Sequence, residues 1–122
     1  MSAIPAVPTK YAAMTDEALM VVVAKDDERA LGELMSRHTK QLSGVARRVL
    51  RDPEASFEIV NQTFVRIWKH RRAFRPSARF IFWATAICHR LALNEARRIK
   101  RQRRYLEFES HPLNEIHLIN LS

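Results

Sequence analysis

The sequence predicts an all-α protein, folded as a compact bundle of about four helices. Apolar residues recur at three- and four-residue spacing along most of the chain, which is the period of one face of a helix. Residues that favour helix starts stand at the head of these segments, and only two glycines occur in 122 residues, too few for a fold rich in strands and turns. With 47% hydrophobic residues, a chain of this length suits one small domain.

The first predicted helix covers residues 15–24, with Thr15 as its N-cap. The segment before it, residues 1–13, contains two prolines and shows little periodicity. We therefore expect a flexible arm followed by a helical domain of residues 14–104.

The second predicted helix begins near residue 26 or 27 and ends at Asp52. Its inward-facing positions recur at helical spacing: Leu31, Leu34, Met35, His38, Leu42, Val45 and Val49. Asp52 and Pro53 are typical of an N-cap and a first helical position, so the third predicted helix starts there and ends near Arg72. Its inner stripe consists of Val60, Thr63, Phe64, Ile67 and Trp68.

A loop of residues 73–79 separates the third predicted helix from the fourth, which covers residues 80–104. The inner stripe of the fourth helix consists of Phe80, Trp83, Ala84, Ile87 and Leu91. The remaining residues, 105–122, carry three acidic groups and contain Pro112, which predicts an acidic tail.

The charges are distributed unevenly along the chain, whose formal net charge is +8. Residues 1–65 have a net charge of −1 and residues 105–122 a net charge of −3, whereas residues 66–104 carry 13 basic groups and one acid, Glu95. A solvated helix surface usually mixes both signs, so this basic block indicates a polyanionic partner. Nucleic acid, an anionic membrane and an acidic protein all fit that description, and we favour nucleic acid.

The arginines of the fourth predicted helix form a stripe that suits a phosphate backbone. Arg90, Arg97, Arg101 and Arg104 are spaced seven, four and three residues apart, which places them within a sector of ~60° on a helix. Arg98 broadens the same positive field. The alternative is a solvated helix end, where the helix dipole favours cations.

Aromatic and cationic side chains are interleaved around the loop before the fourth helix. We expect Phe74 and Phe82 to face outward, where they can stack on unpaired bases, and Phe80 and Trp83 to be buried. Core packing is the alternative for each of these rings. The cations of this region that we expect to contact DNA are Arg72, Arg75 and Arg79.

Enzyme chemistry finds little support in the sequence. The one cysteine, Cys88, excludes an internal disulfide and a multi-cysteine zinc site, and we expect it to be buried. The five histidines show no metal-ligand spacing, so no catalytic residue, metal site or cofactor is predicted. No stretch approaches the roughly 18 apolar residues of a membrane span, and the cysteine usage suits a cytoplasmic location.

Several segments, taken in order, carry a family pattern. They are TDEAL at 15–19, DERAL at 27–31, RRVLRDP at 47–53, EIVNQTFVRIW at 58–68, FIFW at 80–83 and LALN at 91–94. The segment at 58–68 is similar to the family's Asp-Leu-Val-Gln-Glu-Thr-Phe-Leu-Arg-Leu-Trp. Over about residues 14–104 the chain resembles region 2 of the extracytoplasmic-function (ECF) sigma factors of the sigma-70 family.

The resemblance implies a sigma-factor region 2-like fold and a role in transcription initiation. In that family the domain binds core RNA polymerase, on the clamp helices of the β′ subunit, and recognises and melts the −10 element of promoter DNA. By resemblance, polymerase binding falls to Glu58, Asn61, Gln62 and Val65 on the outer side of the third helix. Recognition of the −10 element falls to residues 73–82 and the start of the fourth helix. The resemblance also implies an anti-sigma factor as a partner, and action in the cytoplasm, on the nucleoid through polymerase.

The chain differs from the family pattern at several positions. Glu58 stands where the family has Asp, and Asn61-Gln62 where it has Gln-Glu. Arg90 stands where the family has Asn. No region 4 helix-turn-helix is recognisable, so residues 105–122 are interpreted as a tail or the start of a linker, and the chain as a fragment or a natural region-2-only protein.

Two alternatives to a sigma factor stay open from the sequence. One is a sigma mimic, which binds an anti-sigma factor or regulator without initiating transcription; the altered Asn61-Gln62 pair and the missing region 4 motivate it. The other is a helical protein that binds RNA or the nucleoid without sequence preference, which fits the charge but not the ordered segments.

Overall fold

The computed structural model describes residues 9–110, and within them every regular element is a helix, as predicted. The helices, in chain order, are α1 (Thr9–Ala12), α2 (Asp16–Val23), α3 (Glu28–Leu50), α4 (Pro53–Lys69) and α5 (Phe80–Ser110). The three longest, α3, α4 and α5, pack against one another, and α2 lies against both α3 and α5. The predicted all-α bundle is confirmed, with one short helix more than expected.

Side-chain caps confirm three of the predicted helix starts. The side-chain oxygens of Thr15, Asp27 and Asp52 accept hydrogen bonds from backbone N–H groups two or three residues further on, at 2.9–3.1 Å. Each cap satisfies one of the donors that the first turn of a helix leaves unpaired. The end of α3 is equally sharp, because Arg51 adopts a left-handed backbone conformation (φ 55°) directly before Asp52 and Pro53.

The predicted arm of residues 1–13 is wrong for residues 9–12, which form α1; residues 1–8 lie outside the described residues. The reason is Tyr11, whose side chain is buried and whose hydroxyl donates a 2.7 Å hydrogen bond to Asp27 Oδ2. A buried aromatic ring with a satisfied hydroxyl stabilises the docked segment.

The last helix is longer than predicted, because it continues past Arg104 to Ser110. No proline or glycine interrupts residues 105–110, so nothing in the sequence stops the helix there. Every side chain from Lys100 to Ser110 is exposed, so this end of α5 extends beyond the packed bundle. The rest of the predicted acidic tail, residues 111–122, lies outside the described residues.

The core forms where the inner stripes of the helices meet. Its largest fully buried side chains are Phe80, Leu19, Met20, Leu34, Leu42 and Ile67. Cys88 is buried, as predicted, and its Sγ lies 3.5 Å from the Leu42 carbonyl oxygen. This contact joins α5 to the middle of α3 inside the core.

A polar network fastens α2 to α3. The guanidinium of Arg37 donates to Asp16 Oδ1 at 3.1 Å, to Glu33 Oε2 at 2.8 Å and to the carbonyl oxygen of Tyr11 at 2.9 Å. The ring of His38 lies 2.8 Å from the other oxygen of Asp16. Because Asp16 stands at the start of α2, these contacts fix that helix end relative to α3.

Candidate functional site

The residues assigned to polymerase binding lie together on the outer side of α4. Glu58, Gln62 and Val65 are exposed, Val65 with 55% of its surface, and Asn61 is half-buried. They occupy positions three and four residues apart, so they share one side of the helix. The amide of Gln62 donates a long, 3.4 Å hydrogen bond to Glu58 Oε1. The inner stripe of α4 faces the core and leaves this side free.

Val65 separates two grooves on either side of the α4 outer face. The first has a volume of about 480 Å³, lies between α3 and α4, and is mainly apolar; its lining residues are Glu28, Leu31, Met35, Asn61, Phe64, Val65 and Trp68. The second has a volume of about 340 Å³ and carries cations; its lining residues are Gln62, Val65, Arg66, Lys69, His70 and Leu91. The α4 outer face therefore offers apolar surface on one side and positive charge on the other.

Sequence reasoning missed two exposed apolar residues beside this face, Phe57 and Met35. Phe57 is 64% exposed and stands one turn before Asn61, so it extends the α4 outer face. Met35 lines the apolar groove from α3 and is also exposed. Helical spacing gives no signal for Phe57, because it stands three residues before Val60 and seven before Phe64 and so falls in line with the inner stripe, although its side chain is exposed. Helical spacing predicts Met35 for the inner stripe of its helix, and its exposure contradicts that prediction.

The cations of the loop between α4 and α5 face solvent as predicted, but only one of the two aromatic residues expected to face outward does so. Arg72, Arg75 and Arg79 are exposed. The expectation that Phe74 faces outward is wrong: it is only 7% exposed, with its ring centroid 5.0 Å from that of Trp83 and 6.1 Å from that of Phe80. Burial against two other aromatic rings removes far more apolar surface from water than an outward position does.

Phe82 is exposed as predicted, with 66% of its surface accessible. The guanidinium carbon of Arg79 lies 5.2 Å from its ring centroid, within the range of a cation–π contact. An accessible ring beside a cation is the arrangement that stacks on an unpaired base while holding the adjacent phosphate.

Among the other aromatic residues expected inside, Phe80 is fully buried, whereas Trp83 and Trp68 are half-buried at the edge of the core. The indole of Trp68 is covered on one face by Arg71, whose guanidinium carbon lies 4.2 Å above the ring. A bundle of this size does not fully enclose such large rings.

Asp26 forms an ion-pair cluster with the start of the loop. Its Oδ1 accepts from Arg71 at 2.7 and 2.9 Å and from Arg72 at 3.1 Å. The hydrogen bonds from Arg71 hold the pKa of the Asp26 carboxyl below its usual value. Arg72 bonds Asp26 through one N–H group but keeps most of its side chain in solvent. Its remaining donors are therefore available to a ligand.

The predicted arginine stripe is present on α5. Arg90, Arg97, Arg101 and Arg104 are all exposed, and Arg90 and Arg97 line a shallow groove of about 480 Å³ with His89, Leu93 and Asn94. Arg98 differs from them, because it donates to Glu95 at 2.6 and 2.9 Å and to Gln102 at 3.1 Å. The hydrogen bonds from Arg98 hold the pKa of the Glu95 carboxyl below its usual value. Because Glu95, the one acid of the basic block, is paired with Arg98, it does not neutralise the arginine stripe.

Within residues 9–110, no group of three or more His, Cys, Asp or Glu side chains could hold a metal ion. Burial raises the pKa of the Cys88 thiol, which keeps it protonated and unsuited to nucleophilic attack. In the same part of the chain, no helix combines the length and the apolar character needed to cross a membrane.

A known family covers most of this fold. The family model for sigma-70 region 2 matches residues 34–104, more than half of the chain, from the first third of α3 to the basic part of α5. The chain belongs to the sigma-70 region 2 family. The match contains the α4 outer face, the loop and the arginine stripe, whereas α1 and α2 lie outside it.

Curated relatives agree with this assignment. The chain is 28% identical over 82 residues to an ECF RNA polymerase sigma factor SigK from Mycolicibacterium vanbaalenii, a span that is 66% of this chain and 42% of the relative. It is 26% identical over 84 residues to an ECF RNA polymerase sigma-E factor from Haemophilus influenzae, covering 69% of this chain and 42% of that relative. The aligned span is thus less than half the length of these relatives. No solved structure matches the chain.

Proposed function

We propose that this chain acts as region 2 of a sigma factor, which binds core RNA polymerase and recognises and melts the −10 element of promoter DNA. The observation that carries the proposal is the sigma-70 region 2 match, because it contains both candidate surfaces, the α4 outer face and the cationic loop with α5. The role asks for binding and strand separation, and needs no catalytic residue or cofactor from the chain. It is exercised in the cytoplasm, on the nucleoid through polymerase.

The polymerase contact that we propose uses the α4 outer face, against the clamp helices of the β′ subunit. The exposed Val65 beside an apolar groove of about 480 Å³ offers the desolvated centre that a stable interface needs. Glu58 is the carboxylate that remains on this face, and Asn61 and Gln62 supply neutral hydrogen-bond partners. A polar rim around an apolar centre is the usual composition of a protein interface.

The DNA contact that we propose divides between the loop and α5. The arginine stripe neutralises phosphates, which contributes affinity without sequence preference. Phe82, and not Phe74, stacks on a base freed from the duplex, with Arg79 beside it. Stacking on unpaired bases favours the open strand over the closed duplex, and this difference is what drives melting.

A binding selection tests this function. Core polymerase, with and without the chain, is presented with DNA whose duplex is interrupted by an unpaired, randomised segment of about 12 nucleotides, within the range of known single-strand sites. We expect the chain to join polymerase and to enrich one sequence in the unpaired segment. A chain that does not bind polymerase, or that enriches no sequence, contradicts the proposal.

A second candidate, the sigma mimic, is favoured by one observation. Gln62 replaces the carboxylate expected at its position, and its amide is bonded to Glu58, the carboxylate that remains. A weaker acidic face suits a chain that occupies an anti-sigma factor or regulator in place of polymerase. Polymerase binding in the selection separates the two candidates, because the mimic predicts none.

A further inference from the structure

The loop that carries Arg75 and Arg79 is held at both of its ends by acidic residues at the two ends of α2. Glu17, in the first turn of α2, reaches the start of α5, and Asp26, three residues beyond the end of α2, reaches the end of α4. We call these two contacts the loop anchors. Neither acid lies within residues 34–104, where the family match is found, although each touches a residue inside that range.

The first anchor caps α5. Glu17 Oε2 accepts a 2.8 Å hydrogen bond from the backbone N–H of Phe80, the first residue of that helix, across 63 positions of sequence. The first turn of α5 contains no acidic residue, and Arg79 before it has no side-chain oxygen to serve as a cap. Glu17 therefore supplies both the acceptor and the negative charge that a helix N-terminus favours.

The second anchor fixes the exit from α4. Asp26 binds Arg71 through two hydrogen bonds, and Arg71 is itself held by a 2.8 Å bond to the Trp68 carbonyl oxygen and by its stacking on the Trp68 ring. Asp26 stands in the left-handed region (φ 72°), a conformation that aspartate tolerates better than most residues. The sharp turn after α2 is what aims its carboxylate at the loop.

One short helix thus sets the distance between the two ends of the loop. The eight residues of α2 span about 12 Å, and the network of Asp16 with Arg37 and His38 fastens this helix to α3. Because a helix is stiff over this length, the two loop ends cannot move independently while both anchors are made. Between them, buried Phe74 holds the middle of the loop against Trp83.

From this arrangement we infer that Glu17 and Asp26 are positioning residues for recognition of the unpaired promoter strand. They touch no DNA; they hold Arg79, Phe82 and the remaining loop cations in one geometry before the strand arrives. Prior ordering of a binding site reduces the conformational entropy lost on binding. The inference rests on the proposed function.

Because Glu17 and Asp26 are negatively charged, an electrostatic role and a positioning role predict opposite effects of their removal. Loss of an acid near a DNA-binding surface strengthens binding if only electrostatics operates, whereas loss of a positioning residue weakens it. Glu17→Ala removes the cap, and Glu17→Gln keeps an oxygen that accepts the same hydrogen bond. Asp26→Gly removes the carboxylate at a position where glycine adopts the left-handed backbone freely, and Asp26→Asn keeps an acceptor. Glu54→Ala, in the first turn of α4 and at its far end from the loop, controls for lost charge.

Each variant is measured as the full chain bound to core polymerase, with the DNA sequence that the parent chain enriches, in unpaired and duplex form. We expect Glu17→Ala and Asp26→Gly to bind the unpaired strand about tenfold more weakly, which equals about 1.4 kcal/mol. The Gln and Asn variants keep near-parental affinity, and Glu54→Ala is not weakened. Amide exchange at Phe80 becomes faster in Glu17→Ala while the core amides of α3 stay protected.

The results that would overturn the inference differ from those that would overturn the proposed function. Equal or tighter binding of the unpaired strand by Glu17→Ala and Asp26→Gly overturns the inference and leaves the proposed function standing. The same holds if Glu17→Gln binds as weakly as Glu17→Ala, or if exchange at Phe80 is unchanged. A parent chain with no preference for any unpaired sequence overturns the proposed function, and the inference with it.

Discussion

The ring of Phe74 lies 5.0 Å from the ring of Trp83, centroid to centroid, so the loop residue expected to meet DNA forms part of the aromatic core instead. Phe80 completes the cluster at 6.1 Å from Phe74, and the imidazole of His38 lies 5.5 Å from Phe80. The cluster joins the loop to α3 and α5. Its presence assigns Phe74 to the core and leaves Phe82, which is exposed, as the aromatic residue that we propose for DNA binding.

Phe74→Ala should therefore destabilise the fold. Loss of a buried phenylalanine costs about 3–5 kcal/mol in free energy of unfolding, which is a large share of the stability of a small domain. Urea unfolding of the variant and the parent measures the difference. Phe82→Ala is the matched control, because truncation of an exposed ring changes stability by only about 0.5 kcal/mol. Equal stability of the Phe74 variant and the parent would place this ring outside the core.

Phe82→Ala should weaken binding to unpaired DNA with little effect on closed duplex. Loss of one stacked base costs about 1–3 kcal/mol, and the salt dependence stays unchanged because the substitution removes no cation from the phosphate backbone. The measurement is DNA affinity of the complex with core polymerase over a range of salt concentrations. Phe82→Trp keeps a stacking surface and should restore affinity. An equal loss on both DNA forms would remove Phe82 from strand opening.

Arg97→Ala combined with Arg101→Ala should reduce the salt dependence of DNA binding. Each phosphate that an arginine no longer neutralises on a single strand lowers the slope of log affinity against log salt by roughly 0.7, so the pair lowers it by about 1.4. All DNA sequences should be affected nearly alike. Arg98→Ala is the matched control, since its guanidinium is already bonded to Glu95, and it should change the slope less than Arg101→Ala alone. An unchanged slope in the double variant would separate this stripe from DNA.

Tyr11→Phe should make the fold less sensitive to acid. The hydrogen bond from Tyr11 is the largest cause that holds the pKa of Asp27 below its ordinary 3.8. A carboxyl whose pKa is lower in the folded chain than in the unfolded chain contributes stability above its ordinary pKa, and this contribution is lost as the pH falls through the folded value. In the parent, the urea midpoint should therefore fall more steeply below about pH 4 than in the variant.

Tyr105→Phe provides the matched control for that measurement. Tyr105 also bonds a carboxylate, Glu109, but it stands on the exposed end of α5, where the bond joins two residues of the same helix. Its removal should leave the acid dependence of unfolding as in the parent. If Tyr11→Phe and the parent lose stability in parallel below pH 4, the docking of α1 on Asp27 is not part of the folded state.

Local chemistry explains why the helix starts were predictable. The side chains of Thr15, Asp27 and Asp52 each accept from backbone N–H groups two or three residues away. A short stretch of sequence is therefore enough to predict these helix starts. The exposure of Phe82 and of the arginine stripe follows from helical periodicity in the same way. The predicted end of α5 is wrong. The charged residues change from basic to acidic after Arg104, but a change in the sign of charge does not end a helix, and no proline or glycine follows before Ser110.

Contacts between residues far apart in the sequence could not be predicted from local sequence patterns. Phe74 could equally have faced solvent, and its burial depends on where the loop crosses Trp83. The docking of Tyr11 depends on Asp27, 16 positions away, and the cap of α5 depends on Glu17, 63 positions before Phe80. These contacts form only when the bundle assembles, since no helical period connects the partners.

The most direct test of the account is the affinity of the full chain for core RNA polymerase, compared with that of Asn61→Ala combined with Gln62→Ala. We expect the parent to bind, and the double variant to bind about tenfold more weakly with an unchanged melting temperature. Lys40→Ala with Gln41→Ala, exposed on α3, should bind as the parent does, and Gln62→Glu should bind more tightly. A parent chain that does not bind core polymerase, or a double variant that binds as tightly as the parent, would contradict the account.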